Sequence, residues 1–157
     1  MAIRKLRYNG DDILTKKAKK IDNIDDKIKE LATDMLDTMY KNDGIGLAAC
    51  QVGMLKAMIV YDVEYVDEKN PKKVPVVMVN PTITSMSKAM VVVEEGCLSF
   101  PNVFENVKRH EKVTVEYLDL NGDKKIKHAK GFEAIVIQHE TDHLNGIVFL
   151  DRAEESK

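Results

Sequence analysis

Residues 131–146 read Gly131-Phe132-Glu133-Ala134-Ile135-Val136-Ile137-Gln138-His139-Glu140-Thr141-Asp142-His143-Leu144-Asn145-Gly146. On a helix, His139 and His143 are separated by about 400° of rotation and about 6 Å of rise. They lie one above the other on a single face, the spacing at which two imidazoles grip one metal ion. Glu140 is about 100° further round, beside the ion rather than on it, where a carboxylate can handle the proton of a metal-bound water. That combination points to metal-assisted hydrolysis. A polar, solvated helix carrying two histidines by chance is the bland alternative, and the flanks argue against it. Phe132, Ile135 and Val136 precede His139 by seven, four and three residues, so an apolar stripe continues the histidine stripe. Asn145-Gly146 is a helix stop. The expectation is a largely buried helix over about 131–144.

Two histidines do not complete a catalytic site, which usually takes three protein ligands and a water. The metalloprotease pattern His-Glu-x-x-His-x-x-Gly-x-x-His is met at Gly146 but fails at Phe149, and the sequence runs on only to Lys157. The third ligand is therefore expected upstream. His110 and His128 fall in strand or turn text and read as surface residues. Cys97 lies in Glu94-Glu95-Gly96-Cys97-Leu98-Ser99-Phe100-Pro101, after the β-prone run Met90-Val91-Val92-Val93. The glycine before it and the proline after it mark a strand ending in a tight, irregular turn. A lone cysteine is commonly a small buried hydrophobe; beside a two-histidine site lacking a partner, Cys97 reads instead as the third ligand.

A third segment is Gly44-Ile45-Gly46-Leu47-Ala48-Ala49-Cys50-Gln51-Val52-Gly53. It is a poor nucleotide fingerprint, with Ala49 in place of the third glycine and a helical pattern before it. Glycines among small apolar residues suit a backbone that another chain approaches closely. Gln51 is the one strong side-chain hydrogen-bonding group of the run, unless it merely faces solvent or bonds backbone. Cys50 reads as a small packed residue, with pairing to Cys97 on oxidation the minor alternative. Asp142 and Glu95 are candidates to orient the ligands.

Together these segments resemble peptide deformylase. The family's motifs Gly-x-Gly-Leu-Ala-Ala-x-Gln, Glu-Gly-Cys-Leu-Ser and Gln-His-Glu-x-Asp-His stand intact at Gly44–Gln51, Glu95–Ser99 and Gln138–His143, in the family's order. The resemblance implies removal of the N-formyl group from the initiator methionine of nascent chains. It implies that the Gln51 amide and the Leu98 backbone N–H receive the charge on the formyl oxygen. Ile45 would give a pocket wall, and the Gly46 backbone would bond an extended peptide. Phe132, Ile135 and Val136 should form an apolar pocket for an unbranched side chain such as methionine. Two imidazoles and a thiolate suit zinc, iron(II), cobalt or nickel; the family commonly works with iron(II). Two features depart from the family. Many relatives carry a basic residue where this chain has Phe104. The text after His143 is also short compared with relatives whose C-terminal helix docks on the ribosome. A general metallopeptidase and a purely structural zinc module are the rival readings.

The chain of 157 residues, expected to form one domain, balances 24 Lys and Arg against 26 Asp and Glu, which gives no electrostatic case for nucleic acid. No apolar run approaches the roughly 20 residues of a membrane span. Met-Ala-Ile-Arg-Lys lacks a signal peptide's apolar stretch, and two cysteines make no disulfide framework. A cytoplasmic protein is expected. Ile28, Leu31, Met35, Leu36 and Met39 form one face of a helix over about 25–42. From Lys56 to Lys127 the text is rich in Val, Ile, Thr and Tyr, with turn signals at Asn70-Pro71, Asn80-Pro81 and, typical of a hairpin, Asn121-Gly122. Helix, strands, then helix argues α+β with mostly antiparallel strands, and by resemblance these pack around the C-terminal helix carrying the histidines.

Overall fold

The computed structural model describes residues 2–65 and 72–155. Helix α1 (Asp26–Lys41) starts where the Asp25 carboxylate accepts from the Ile28 N–H at 3.0 Å, the cap that a short acidic side chain provides. Ile28, Leu31, Met35 and Met39 are buried along one face, as their spacing requires. The helix meets a five-stranded antiparallel sheet made of β1 (Gly46–Ala48), β2 (Met58–Tyr61), β3 (Val76–Met86), β6 (Lys112–Leu118) and β7 (Lys124–Lys130), in the order β1-β2-β3-β6-β7. Strands β4 (Met90–Cys97) and β5 (Phe100–His110) form a separate antiparallel hairpin. Helix α2 (Gly131–Leu144) and a short helix α3 (Phe149–Glu155) follow.

Strand β2 shows how the layers form. Its four residues, Met-Ile-Val-Tyr, are all fully buried. Successive side chains point to opposite faces, so Met58 and Val60 join α1 in one cluster with Leu47 and Val79. Ile59 and Tyr61 join α2 in the other, with Met78, Val115 and Ile137. The sheet is thus sandwiched between the two helices. Helix α2 is buried at every position from Ala134 to Leu144, the condition of a central helix rather than a surface one. The only parallel pairing among the described residues is an isolated bridge, Lys19 to Lys56. The α+β class and the central histidine helix agree with the sequence reading.

Two expectations need correction. Asn80-Pro81 does not separate strands; β3 runs through it with a shift of register between Val79 and Thr82. Pro81 has no N–H to give the ladder, and Asn80 takes a left-handed φ of 51°. The Asn80 amide instead brackets Ile21, accepting from its N–H and donating to its carbonyl, each at 2.8 Å. Phe132 is the second correction. It sits in the first turn of α2 and is 50% exposed, so the apolar stripe is not buried at that end. The Asn121-Gly122 hairpin is present between β6 and β7, with Gly122 at φ 84°. Asn70-Pro71 lies outside the described residues.

Candidate active site and metal centre

Strand β4 delivers Cys97. The ladder with β5 slips between Glu95 and Cys97, so Gly96 bulges and Cys97 turns toward α2. There its Sγ lies 3.4 Å from His143 Nε2. The His139 and His143 rings stand one turn apart, with centroids 5.1 Å from each other. One ligand atom from each of Cys97, His139 and His143 falls within 4.8 Å of the others. Two ligands on one tetrahedral ion, at ordinary sulfur and nitrogen bond lengths, are about 3.5 Å apart. The trio is close to that spacing.

The surroundings of the trio favour a cation. Burial would lower the pKa of His139, but the Glu140 charge, the Cys97 hydrogen bond and Glu95 together raise it to about 10. His143 goes the other way: burial, then the charges of His139 and Arg109, hold it well below the usual range and neutral, the form that ligates. Among the described residues, the buried side-chain polar atoms without a hydrogen-bond partner are Glu140 Oε1 and His143 Nδ1. Both belong to this site.

The His139 ring is fixed from behind. Its Nδ1–H donates to Glu95 Oε1 at 2.9 Å, leaving Nε2 for the trio. Glu95 in turn accepts from Arg109 Nε at 2.7 Å and Nη2 at 2.9 Å. Burial would raise the Glu95 pKa, yet the bonds from Arg109 and His139 bring it down to about 2. Arg109 Nη1 also donates to Asp142 at 2.6 Å, and Arg152 braces Asp142 at 2.9 and 3.0 Å. Glu95 therefore bonds a histidine directly, whereas Asp142 acts through Arg109. The sequence reading missed Arg109, which is only 3% exposed.

Glu140 is buried, and that burial, opposed by His139, pushes its carboxyl up to about 7. Its Oε2 presses on Gly46, where a Cβ would come within 2.5 Å. At Gly44 a Cβ would meet Leu98 Cδ1 at 2.6 Å. In this structure the two glycines make room for the Glu140 and Leu98 side chains of the same chain. Gln51 is locked by its Oε1, which accepts from the Ala48 N–H at 2.9 Å. Its Nε2 is aimed at Ser99 Oγ, 3.1 Å away, and Cys97 Sγ, 3.5 Å away. Cys50 is a packed residue: its thiol is fully buried, donates to the His143 carbonyl and is pushed up to about 12 by burial.

A cleft of about 650 Å³ opens from the trio, and Ile45, Gly46, Gln51, Leu98, Phe132, Ile135, Val136 and Glu140 all line it. The residues expected from sequence are brought together there. His110 and His128 are not: His110 bonds the Ser87 carbonyl and His128 meets Thr114. A larger groove of about 1060 Å³ lies against a different face of α2 and includes none of the trio.

The profile of the polypeptide deformylase family matches residues 3–157. The chain belongs to that family. A peptide deformylase of Microchaete diplosiphon is 51% identical over 151 residues, covering 96% of this chain and 79% of the relative. The crystal structure of the Thermotoga maritima peptide deformylase superposes with a TM-score of 0.89 at 38% identity, covering 96% of this chain and 97% of the other. The class I type b peptide deformylase of Acinetobacter baumannii, solved with Met-Ala-Ser bound, gives a TM-score of 0.89 at 37% identity, covering 96% and 98%. These likenesses support the α+β architecture and the deformylase reading against the two rivals.

Proposed function

We propose that this chain removes the N-formyl group from the initiator methionine of newly made polypeptides, releasing formate, by metal-dependent hydrolysis in the cytoplasm. One observation carries the assignment of residues. Cys97, His139 and His143 converge within 4.8 Å, and beside them lies the buried Glu140 carboxyl, whose Oε1 has no hydrogen-bond partner among the described residues. The trio would hold a divalent ion, which when bound supplies an acidified water and Lewis-acid polarisation of the formyl oxygen. Three protein ligands leave room for a water, whereas a structural zinc closes with four.

Glu140 takes up the water's proton at a carboxylate oxygen and returns it to the departing amine. A pKa close to the working pH suits both halves of that transfer. The Gln51 Nε2, fixed by the Ala48 bond, and the Leu98 backbone N–H receive the charge that grows on the formyl oxygen. Losing one such donor typically costs about 3–4 kcal/mol of barrier. Strand β1 is an edge strand, so Gly46 can offer backbone groups to an extended peptide. Ile45, Ile135 and Val136, with Phe132 at the mouth, wall the space for an unbranched first side chain. We assign iron(II) as the native ion, with zinc, nickel or cobalt able to replace it; zinc binds such donors more tightly. Nascent chains at or near the ribosome are the proposed partners.

The test is formyl-Met-Ala-Ser given to protein loaded anaerobically with iron(II). Formate and intact Met-Ala-Ser are expected as the products. Free methionine would favour a metallopeptidase, and no product at all would favour a structural site.

A further inference from the structure

The trio comes from two elements that share no sheet. Cys97 ends β4, in the two-stranded hairpin, while His139 and His143 stand on α2. The site therefore depends on how the hairpin is seated along that helix. Gln138, the residue before His139, is 5% exposed and lies outside the cleft. Its Oε1 accepts from the His110 N–H at 2.9 Å, and its Nε2 donates to the His110 carbonyl at 2.7 Å and the Ala134 carbonyl at 3.0 Å. His110 is the last residue of β5, a strand with one partner, whose outward backbone groups a further strand would ordinarily pair. The Gln138 amide takes that strand's place.

We infer that Gln138 is a positioning residue for the metal centre: its amide seats the end of β5 on α2, and so sets where Cys97 stands relative to His139 and His143. The inference rests on the metal-binding reading of the trio and adds to it a residue outside both the trio and the cleft. The contacts close a ring. Gln138 holds the His110 backbone; Arg109, next in the chain, bonds Glu95; Glu95 bonds His139, the neighbour of Gln138. Arg109 reaches its carboxylates through a long, flexible side chain that can follow a displaced backbone. Gln138 grips the backbone itself at two points and so fixes the register. The ladder from Met90–His110 to Cys97–Phe100 carries any slip of β5 to Cys97. Half a residue of slip is about 1.6 Å, most of a metal–sulfur bond length of about 2.3 Å.

Gln138→Met keeps the length of the side chain and removes its hydrogen bonds. Asn80→Ala is the matched control, because the Asn80 amide brackets the Ile21 backbone in the same way, on β3 and outside the cleft. Cobalt(II) is the probe. Chelator competition reads its affinity, the sulfur-to-cobalt charge-transfer band reads thiolate ligation, and kcat and KM for formyl-Met-Ala-Ser are taken at saturating cobalt. Both variants should lower the Tm of metal-free protein. Gln138→Met alone should weaken cobalt binding by about 10–100-fold, dim the band, and lower kcat while KM stays as in wild type. Should Gln138→Met not fold, Gln138→Asn, which keeps the amide one methylene short, is read in the same way. Wild-type cobalt affinity in the folded Gln138 variant would overturn the inference, and so would an equal loss of affinity in Asn80→Ala. Failure of the wild type to bind cobalt would overturn the trio as a metal site and this inference with it. The expected losses of affinity, without formate from any protein including wild type, would support the inference and overturn the deformylase reading.

Discussion

Replacing Arg109 by Met should weaken both the fold and the grip on the metal. The guanidinium is 3% exposed and bonds Glu95 twice and Asp142 once. Methionine fills most of the volume but leaves the Glu95 carboxylate with only His139, and Asp142 with Arg152. Removing one partner of a buried ion pair typically costs about 3–5 kcal/mol. A chain of this length unfolds with an entropy of about 0.33 kcal/mol/K, so Tm should fall by about 9–15 °C. Glu95 also orients the His139 ring, and loss of such support lowers metal affinity by about 10–100-fold. Thermal unfolding of metal-free protein reads the first effect, and chelator competition reads the second. The double variant Glu95→Leu/Arg109→Met should cost less than the two single changes added together, because it removes the uncompensated charge with its partner. If Arg109→Met keeps its Tm within about 2 °C and binds metal as wild type does, the chain of bonds from α2 to β5 is not what holds the site.

Gly46→Ala should place a methyl against Glu140 Oε2 and displace the carboxylate; a shift of this kind costs about 100-fold in kcat, while circular dichroism stays unchanged, and normal kcat would show that Glu140 has freedom to spare. Asp62 accepts from the Tyr40 hydroxyl and the N–H groups of Val74, Glu64 and Tyr65, which outweigh burial and lower its pKa below the ordinary 3.8. Its contribution is therefore present above that value and lost as pH falls through the depressed one; the stability gap between wild type and Asp62→Asn, read by urea unfolding, should be constant near neutrality and close in strong acid. Stripping the ion should lower Tm by about 12 °C relative to protein at 1,000 times its metal Kd, and an unchanged Tm would mean that the trio holds no ion in the folded state. Iron(II), nickel and cobalt forms should release formate faster per bound ion than the zinc form, with the iron form decaying in air unless protected from peroxide.

What could be read from sequence was mostly what is local. The apolar repeat from Ile28 to Met39 marks α1, realised as Asp26–Lys41, because one helical face suffices to define it. The spacing of His139, Glu140 and His143 likewise carries its own geometry. Cys97 follows from the sequence only by elimination, and Gln51 and Leu98 only from the family resemblance, since nothing in their neighbourhood marks a donor for an oxyanion. Arg109 left no local trace. In Lys108-Arg109-His110 it looks like a solvated charge, and only the pairing of β4 with β5 and the packing of α2 bring Glu95 and Asp142 to it. Asn80-Pro81 carries a turn's composition, but the Ile21 backbone claims the Asn80 amide and the strand continues. Phe132 has the right phase for the buried stripe, yet it lies in the first turn and is half exposed at the cleft. Strand β1, three residues long, and α3, seven residues long, are too short for periodicity to define.

The most direct test of the account is Glu140→Gln, with metal content and formate release measured on the same anaerobic sample. Glutamine keeps the shape of the side chain and cannot take up a proton as a carboxylate does. The variant should retain one equivalent of metal, because Glu140 stands outside the trio, and lose formate release from formyl-Met-Ala-Ser by about 100–10,000-fold. Near-normal formate release, or loss of the metal together with the activity, would contradict the assignment of Glu140 as the proton carrier beside Cys97, His139 and His143.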